Sequence, residues 1–456
     1  MIVKILRSLF SKLGIDKAIF YTSIGRVIQA LGGIITILFI AKYLTVEEQG
    51  FYYTFGSIVA IQIFFELGLN SIITQYVAHE ASHLKWVDKF VLDGESKYLS
   101  RLSSILHFSA KWYLAFASAL FFTLLIVGFV FFTKFGVGNE VLAWKMPWIL
   151  LAFGTVMNLL LTPVLAFLEG LNKVRDVAQI RLCQYCISIF VVLFGLACGA
   201  KLYVLGFNSL FGAFVIIVIL FCKFKHLLLR IWKIKIQEKV NYRDEIFPYQ
   251  WKIALSWISG YFIFHLFNPV LFATEGAIVA GQMGMTLAAL NGIQALSFSW
   301  MTTKIPLYSG LIAQKNYQQL DSVFNRTLKQ SLFINGFALI VLLFMIYLMR
   351  HFTIEIGGLN FGNRFLDYTP MVLMMIPLFI NQFVSSWAIY LRCHKQEPFL
   401  INSIVGGFAC CLSTILLGKY FGVLGVTGGY CIIVACFMPW GYYIYKSKKR
   451  EWHSLK

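Results

Sequence analysis

Apolar residues recur along this chain in runs of about 20, the length an α-helix needs to cross the hydrocarbon of a bilayer. They fall near 18–41, 51–75, 110–132, 147–168, 182–200, 202–222, 252–273, 280–303, 332–349, 369–391, 399–418 and 423–445. The pattern predicts an all-α polytopic membrane protein with about 12 transmembrane helices. Between 182 and 222 only Lys201 interrupts the apolar stretch, so the division into two spans rests on that residue. Ahead of the first run, Ile5, Leu6, Leu9, Phe10 and Leu13 alternate with Lys4, Arg7, Lys12 and Lys17, which predicts an interfacial amphipathic helix over 1–17. The run that follows is too long for a signal-peptide core and has no small-residue cleavage site after it.

Charge gives the runs an orientation. With a cytosolic N-terminus, 31 of the 39 Lys and Arg fall in cytosolic tails and connections, seven on the opposite side, and Arg26 inside the first run. This asymmetry predicts both termini in the cytosol. The net charge of +19 is thereby topological: its residues are spread over short flanking loops and form no basic domain, which excludes nucleic acid as a partner. At 59% apolar and 13% charged, the chain leaves no soluble domain over. The longest connections, near 76–109 and 223–251, are both predicted cytosolic. The second is basic and separates an N-lobe, 18–222, from a C-lobe, 252–445, with a basic cytosolic tail at 446–456. Leu168-Glu169-Gly170-Leu171-Asn172-Lys173 recurs in shape as Leu391-Arg392-Cys393-His394-Lys395, and helices three, four and five keep a similar offset from nine, ten and eleven. Two six-helix repeats of the same orientation place a substrate cavity between the lobes.

Tyr43-Leu44-Thr45-Val46-Glu47-Glu48-Gln49-Gly50-Phe51-Tyr52 resembles the first loop of bacterial polysaccharide and O-antigen flippases, with Val46 where a proline is usual. Phe65-Glu66-Leu67-Gly68-Leu69, followed by Gln75-Tyr76-Val77-Ala78, is similar to that family's second helix. These flippases belong to the MOP superfamily of exporters, with lipid II flippases and multidrug MATE transporters. The resemblance implies a MATE-like pair of lobes in the bacterial inner membrane. They would move an undecaprenyl-pyrophosphate-linked oligosaccharide by alternating access, coupled to a proton or sodium ion. Membrane lipids and a polysaccharide polymerase with its chain-length machinery are the implied partners; no cofactor is expected.

The residues suggest where such a cargo would be held. Thr22, Arg26, Gln29, Gly33 and Thr36 share one face of the first helix, and an intramembrane arginine is a functional residue by default, with a planar fork suited to phosphate. Gln62, Glu66, Asn70 and Thr74 form a face of the second. Arg26 and Glu66 lie at similar depth, so they either pair with each other or leave Arg26 to the pyrophosphate and Glu66 to the coupling ion. Tyr261, His265, Asn268 and Glu275 share a face of helix seven, while Asn291 and Gln294 on helix eight, near Trp257 and Trp300, offer hydrogen bonds to sugars. His265 also reads as a core histidine. Lys173, Arg175, Arg181, Lys252, Lys304, Arg392 and Lys395 line the cytosolic entrance, where positive-inside statistics place most of them in any case.

Other chemistry is weaker. His79-Glu80-Ala81-Ser82-His83 matches the HExxH pattern of zinc proteases, but Asp93 follows in the same cytosolic loop where such proteases take a third ligand from a distant membrane segment, and the flippase-like segment runs straight into it. Cys183 and Cys186 form a CxxC without a soluble βαβ context, and the nine cysteines imply no disulfides. A MATE-type cation antiporter on the same fold is the close alternative, and it would call for an anionic cavity. No P-loop is present, so direct use of ATP is not expected.

Overall fold

The structure is a computed structural model that describes residues 17–88, 91–136, 143–356, 359–394 and 396–454. The segment 1–16, expected as interfacial helix, lies outside the described residues, as do Lys395 and the side chains of Thr22, Arg26 and Lys252. In chain order come α1 (Lys17–Tyr43), α2 (Val46–Val59), α3 (Leu69–Ala81), a hairpin of β1 (Leu84–Asp88) and β2 (Val91–Gly94), α4 (Ser96–Phe135), α5 (Lys145–Gly170), α6 (Val174–Ala197) and α7 (Tyr203–Trp232). Then follow α8 (Phe247–Phe264), α9 (Phe267–Glu275), α10 (Ala277–Thr302), α11 (Ile305–Ala313), α12 (Tyr317–His351), the two-residue strands β3 (Glu355–Ile356) and β4 (Leu359–Asn360), α13 (Tyr368–Arg392) and α14 (Leu400–Ser454).

Each apolar run falls on helix. Eight described helices are long and apolar enough to cross a bilayer, and the pair 46–66 and 69–81, bent by 41°, adds a ninth. α14 has 55 residues, about 80 Å of helix, and it breaks at Gly422 (φ 56°, ψ −139°). The Glu275 carboxylate accepts the backbone N–H of Val423 at 2.5 Å and so satisfies a donor freed by that break. The stretch 182–222 divides at a turn where Gly199 (φ 78°) and Lys201 (φ 47°) are left-handed. Along α4, Phe122, Ile126 and Val130 recur every fourth residue with more than 60% of their surface exposed. Such a stripe is unfavourable in water and ordinary in lipid. The protein is a multi-pass membrane protein.

The chain forms two compact units. The first holds 1–32 and 61–254. Its core is built on α5, where the indole of Trp148 is fully buried, donates to the Leu124 carbonyl at 3.0 Å and sits in the notch left by Gly128. The basic stretch 223–251 belongs here and is part helix, part extended chain. α7 continues to Trp232, which stacks on His107, and the extended chain beyond is held along the start of α4. There Ser100 Oγ accepts the N–H groups of Gln237 and Glu238 at 2.7 and 2.9 Å, Ser104 Oγ accepts that of Val240, and Ser103 Oγ donates to the Ile234 carbonyl.

The second unit holds 33–60 and 255–456, so α1 from Gly33 onward, together with α2, groups with the C-terminal half of the chain, while 17–32 of α1 stays with the first unit. The contact is glycine-made. A Cβ on Gly50 would lie 1.9 Å from the Ala277 carbonyl oxygen, and one on Gly281 would lie 2.9 Å from the Gly50 nitrogen. In lipid, where the hydrophobic effect does not drive helices together, close backbone approach supplies the packing. At the predicted cytosolic end Tyr308, Phe324, Tyr390 and Leu391 form a dry core under the last turns of α14.

Candidate functional site

In the first unit the polar residues of the second span gather at a break. After a 3-10 turn, Ala60–Gln62, and one helical turn, Ile63–Glu66, both Leu67 (φ 48°) and Gly68 (φ 67°) are left-handed, and α3 starts anew. Gly68 is required twice over: its φ is unfavourable for a side chain, and a Cβ would lie 2.3 Å from Cγ2 of Ile253. Irregular backbone at membrane depth is tolerated where it is buried in protein or lines water, which makes this break a natural ligand position. Glu66 is half-buried at its edge and makes no hydrogen bond or ion pair among the described residues. Beyond the break Asn70 Oδ1 accepts the fully buried Tyr113 hydroxyl at 2.7 Å, and Thr74 Oγ1 lies 3.1 Å from the carbonyls of both Asn70 and Ala166. Gln62 is half-buried in the 3-10 turn, and Gln29 on α1 is exposed. The expected pairing of Arg26 with Glu66 falls on a side chain outside the described residues.

The second unit disperses the remaining candidates. Asn268 is buried and donates to Ser57 Oγ at 3.0 Å, which ties α9 to α2. Gln294 faces into its own unit, where its amide donates to Gln382 Oε1 at 2.9 Å. Gln382 donates to Ser331 Oγ, and Asn335 donates to Ser297 Oγ at 2.9 Å, a lattice joining α10, α12 and α13 that is fully buried except at the half-buried Gln294. Asn291, Trp257 and Trp300 are exposed, and His265, between α8 and α9, stacks on Tyr261. At the expected entrance three basic residues are engaged locally. Lys173 Nζ stands 3.9 Å over the ring of Trp86, Arg181 reaches Glu169 at 3.5 Å, and Arg392 holds Glu397 through two bonds of 2.7 and 2.8 Å. Arg175 and Lys304 are exposed.

The HExxH segment has a different role from metal ligation. α3 ends at Ala81, the exposed His79 and the Tyr98-stacked His83 flank its last turn, and no trio of His, Cys, Asp or Glu is placed for a metal among the described residues. Glu80 is buried and accepts Arg101 Nε at 2.9 Å, while Arg101 Nη2 reaches Glu245 Oε2 at 2.6 Å. Burial works against the charge on Glu245, but the bonds from the Asn241 N–H and from Arg101 outweigh it and hold the carboxyl below its usual range. The would-be catalytic glutamate is thus half of an anchor for the chain leading into α8.

Sequence reasoning passed over Arg364, which is 2% exposed in the 3-10 turn Phe361–Arg364. Its Nη2 donates to the carbonyls of Ala41 and Leu44 at 3.0 and 2.9 Å, the free acceptors at the C-terminal end of α1, and its Nη1 donates to Gln49 Oε1. Gln49 in turn donates to the carbonyls of Gly281 and Arg364. The flippase-like motif is thereby explained position by position. Thr45 and Glu48 close a capping box at the start of α2, Gln49 and Gly50 fasten it to α10, and the ring of Phe51 meets that of Phe272 at 4.9 Å. Arg350 caps the carbonyls of Gly362, Phe365 and Leu366 in the same way. These two arginines stand on the predicted extracytosolic side, against the charge rule, and both are engaged chiefly by backbone carbonyls, with Arg364 also on Gln49 Oε1 and Arg350 also 3.5 Å from Asp367.

No known family profile and no curated protein matches the chain. Solved structures do. An inward-facing multidrug resistance MATE family transporter of the MOP superfamily superposes with a TM-score of 0.68 at 14% identity, covering 97% of this chain and 100% of that one. The lipid II flippase MurJ, in an inward closed conformation, gives 0.60 at 14% identity, with 93% of this chain and 87% of that one covered. An outward-facing MATE transporter gives 0.57 at 14% identity over 96% and 95%. The chain has the fold of the MOP-superfamily transporters.

Proposed function

We propose that the protein is a flippase that moves an undecaprenyl-pyrophosphate-linked oligosaccharide across a bacterial inner membrane by ion-coupled alternating access. The carrying observation is the pairing in sequence of one intramembrane arginine, Arg26 on α1, with one intramembrane acid, Glu66, set at the left-handed break of the next span. A guanidinium fork suits a pyrophosphate, and a carboxylate set at irregular backbone suits a proton or sodium ion. The TM-score of 0.68 with a MATE transporter supports a second reading, export of cationic amphiphiles. Such a pump calls for acids in its cavity, and the few acids inside the spans favour the lipid-linked sugar.

The test is translocation of a fluorescent undecaprenyl-pyrophosphate oligosaccharide in proteoliposomes, with a cationic dye assayed alongside. Flux that vanishes in Arg26→Ala and partly survives in Arg26→Lys supports the flippase. Wild-type flux in Arg26→Ala removes its central claim, and dye movement alone transfers the assignment to a cation exporter.

A further inference from the structure

The second unit contains a cavity of about 350 Å³, near the lower end of the range for small-molecule sites, roughly 300–1,000 Å³. It lies along the last turns of α13, from Asn381 to Arg392, about 16 Å of helix rise, in the half of the unit predicted to face the cytosol. Its walls are apolar where α8, α10 and α14 contribute Ile263, Phe264, Phe298, Val434 and Phe437. Ser256, Asn381, Ser385 and Ser403 add polar groups to the wall, and two further features stand out. Asn402, at the start of α14, is 9% exposed on the cavity wall, and its Nδ2 has no hydrogen-bond acceptor among the described residues. An orphaned buried amide donor is rare enough to ask what accepts from it. At the end of α13 stands Arg392, its fork filled by both carboxylate oxygens of Glu397.

We propose that this cavity binds the phosphate-bearing end of a single-chain lipid, and that Glu397 occupies the phosphate's place on Arg392 when the site is empty. A carboxylate and a phosphate present the same two-oxygen edge to a guanidinium, so the ligand exchanges one bidentate pair for another, and Glu397 swings to water from a position already half-exposed. At roughly 30 Å³ per water-sized group the cavity takes about a dozen heavy atoms. That is the first stretch of one narrow chain, with Asn402 donating to an oxygen near the head. The site belongs to one unit and stands whichever cargo the protein moves.

Binding to the full-length protein in nanodiscs of neutral lipid tests it, with undecaprenyl phosphate as the probe against undecaprenol, a diacyl phosphatidylglycerol and inorganic pyrophosphate. Undecaprenyl phosphate binds tightest of the four. Arg392→Ala weakens it about tenfold or more, the scale of a lost charge-assisted pair, and Asn402→Leu weakens it severalfold. Glu397→Gln tightens it, because the competing charge is gone. Equal binding of the alcohol, equal binding of the diacyl lipid, equal protection by free pyrophosphate, or an unchanged affinity in Glu397→Gln each overturns the proposal. If Arg392→Ala does not fold, Glu397→Gln decides alone, since a surface ion pair of no further role leaves affinity where it was.

Discussion

Two residues carry predictions of their own. Arg364 satisfies two backbone carbonyls and a glutamine oxygen from a position shut off from solvent. Arg364→Ala strands those acceptors, and at about 1–3 kcal/mol for a group left unsatisfied it destabilises the protein by roughly 2–4 kcal/mol. Arg364→Lys recovers part, since one ammonium cannot reach three acceptors along a fork. The melting temperature of the detergent-purified protein checks this, and an unchanged value in Arg364→Ala rules it out. His453 makes a pH-dependent contact at the other end of the molecule. It lies 3.1 Å from the Tyr390 hydroxyl, which donates to Asp321, and it stacks on Tyr317 at 4.1 Å. Burial, then Lys449 and His394, push its pKa below the ordinary 6.5 against the pull of Asp321. His394 is lowered too, chiefly by burial. A folded pKa below the unfolded one means that the unfolded chain takes up the proton first. The stabilisation is therefore whole above about 6.5 and lost as pH falls through the folded values. Hydrogen-exchange protection factors over 440–454, taken relative to the intrinsic rate at each pH, are expected to fall between pH 7.5 and 5.5, and His453→Gln flattens that dependence; an equal fall in the variant assigns it elsewhere.

At the level of elements, three glycines that look alike in sequence separate sharply. Gly50→Ala drives a methyl into the backbone of α10 at Ala277, and neither helix can yield without moving the other. Gly68→Ala meets a left-handed φ as well as the side chain of Ile253. Gly33, on α1, has nothing within 4 Å of where a methyl would stand, so Gly33→Ala removes only helix-weakening freedom and stabilises by up to about 1 kcal/mol. Melting temperatures should order as Gly33→Ala at or above wild type, with Gly68→Ala and Gly50→Ala well below it. If Gly50→Ala matches wild type, the α2–α10 contact is not the close one described.

For the whole molecule the governing expectation is the orientation drawn from Lys and Arg, with both termini cytosolic. Single cysteines placed at 450 and at 419, in a cysteine-free background, answer it. An impermeant maleimide added outside intact cells labels position 419 and spares 450, and the reverse pattern inverts the topology. A second whole-molecule consequence concerns the hairpin 33–60, which belongs to the unit built from 255–456. Excising the chain at the lobe boundary drawn from sequence, near 222–252, severs that hairpin from Gly281 and Arg364, so a separately expressed 252–456 is expected to be unstable and to be rescued by co-expressed 1–251.

Residue order alone was enough for the class of the protein and for the helical stretches on which its apolar runs fall. These are one-dimensional properties. Span length and apolar content reflect the thickness and dielectric of the bilayer, whereas the break at Leu67 and Gly68 inside the second span appears only in the fold. Which half of the chain the first hairpin joins became visible only in three dimensions. So did the roles of Glu80 as anchor of a linker and of Asn268 and Gln294 as ties between helices, and the burial of Arg364. In lipid, polar residues and glycines serve equally as ligands for a cargo and as the means by which helices bond to one another, and their spacing along one helix is the same in both roles. Which role each takes depends on what stands opposite, and that is set by contacts hundreds of residues apart, such as Gln49 with Gly281 and Arg364, which no local pattern encodes.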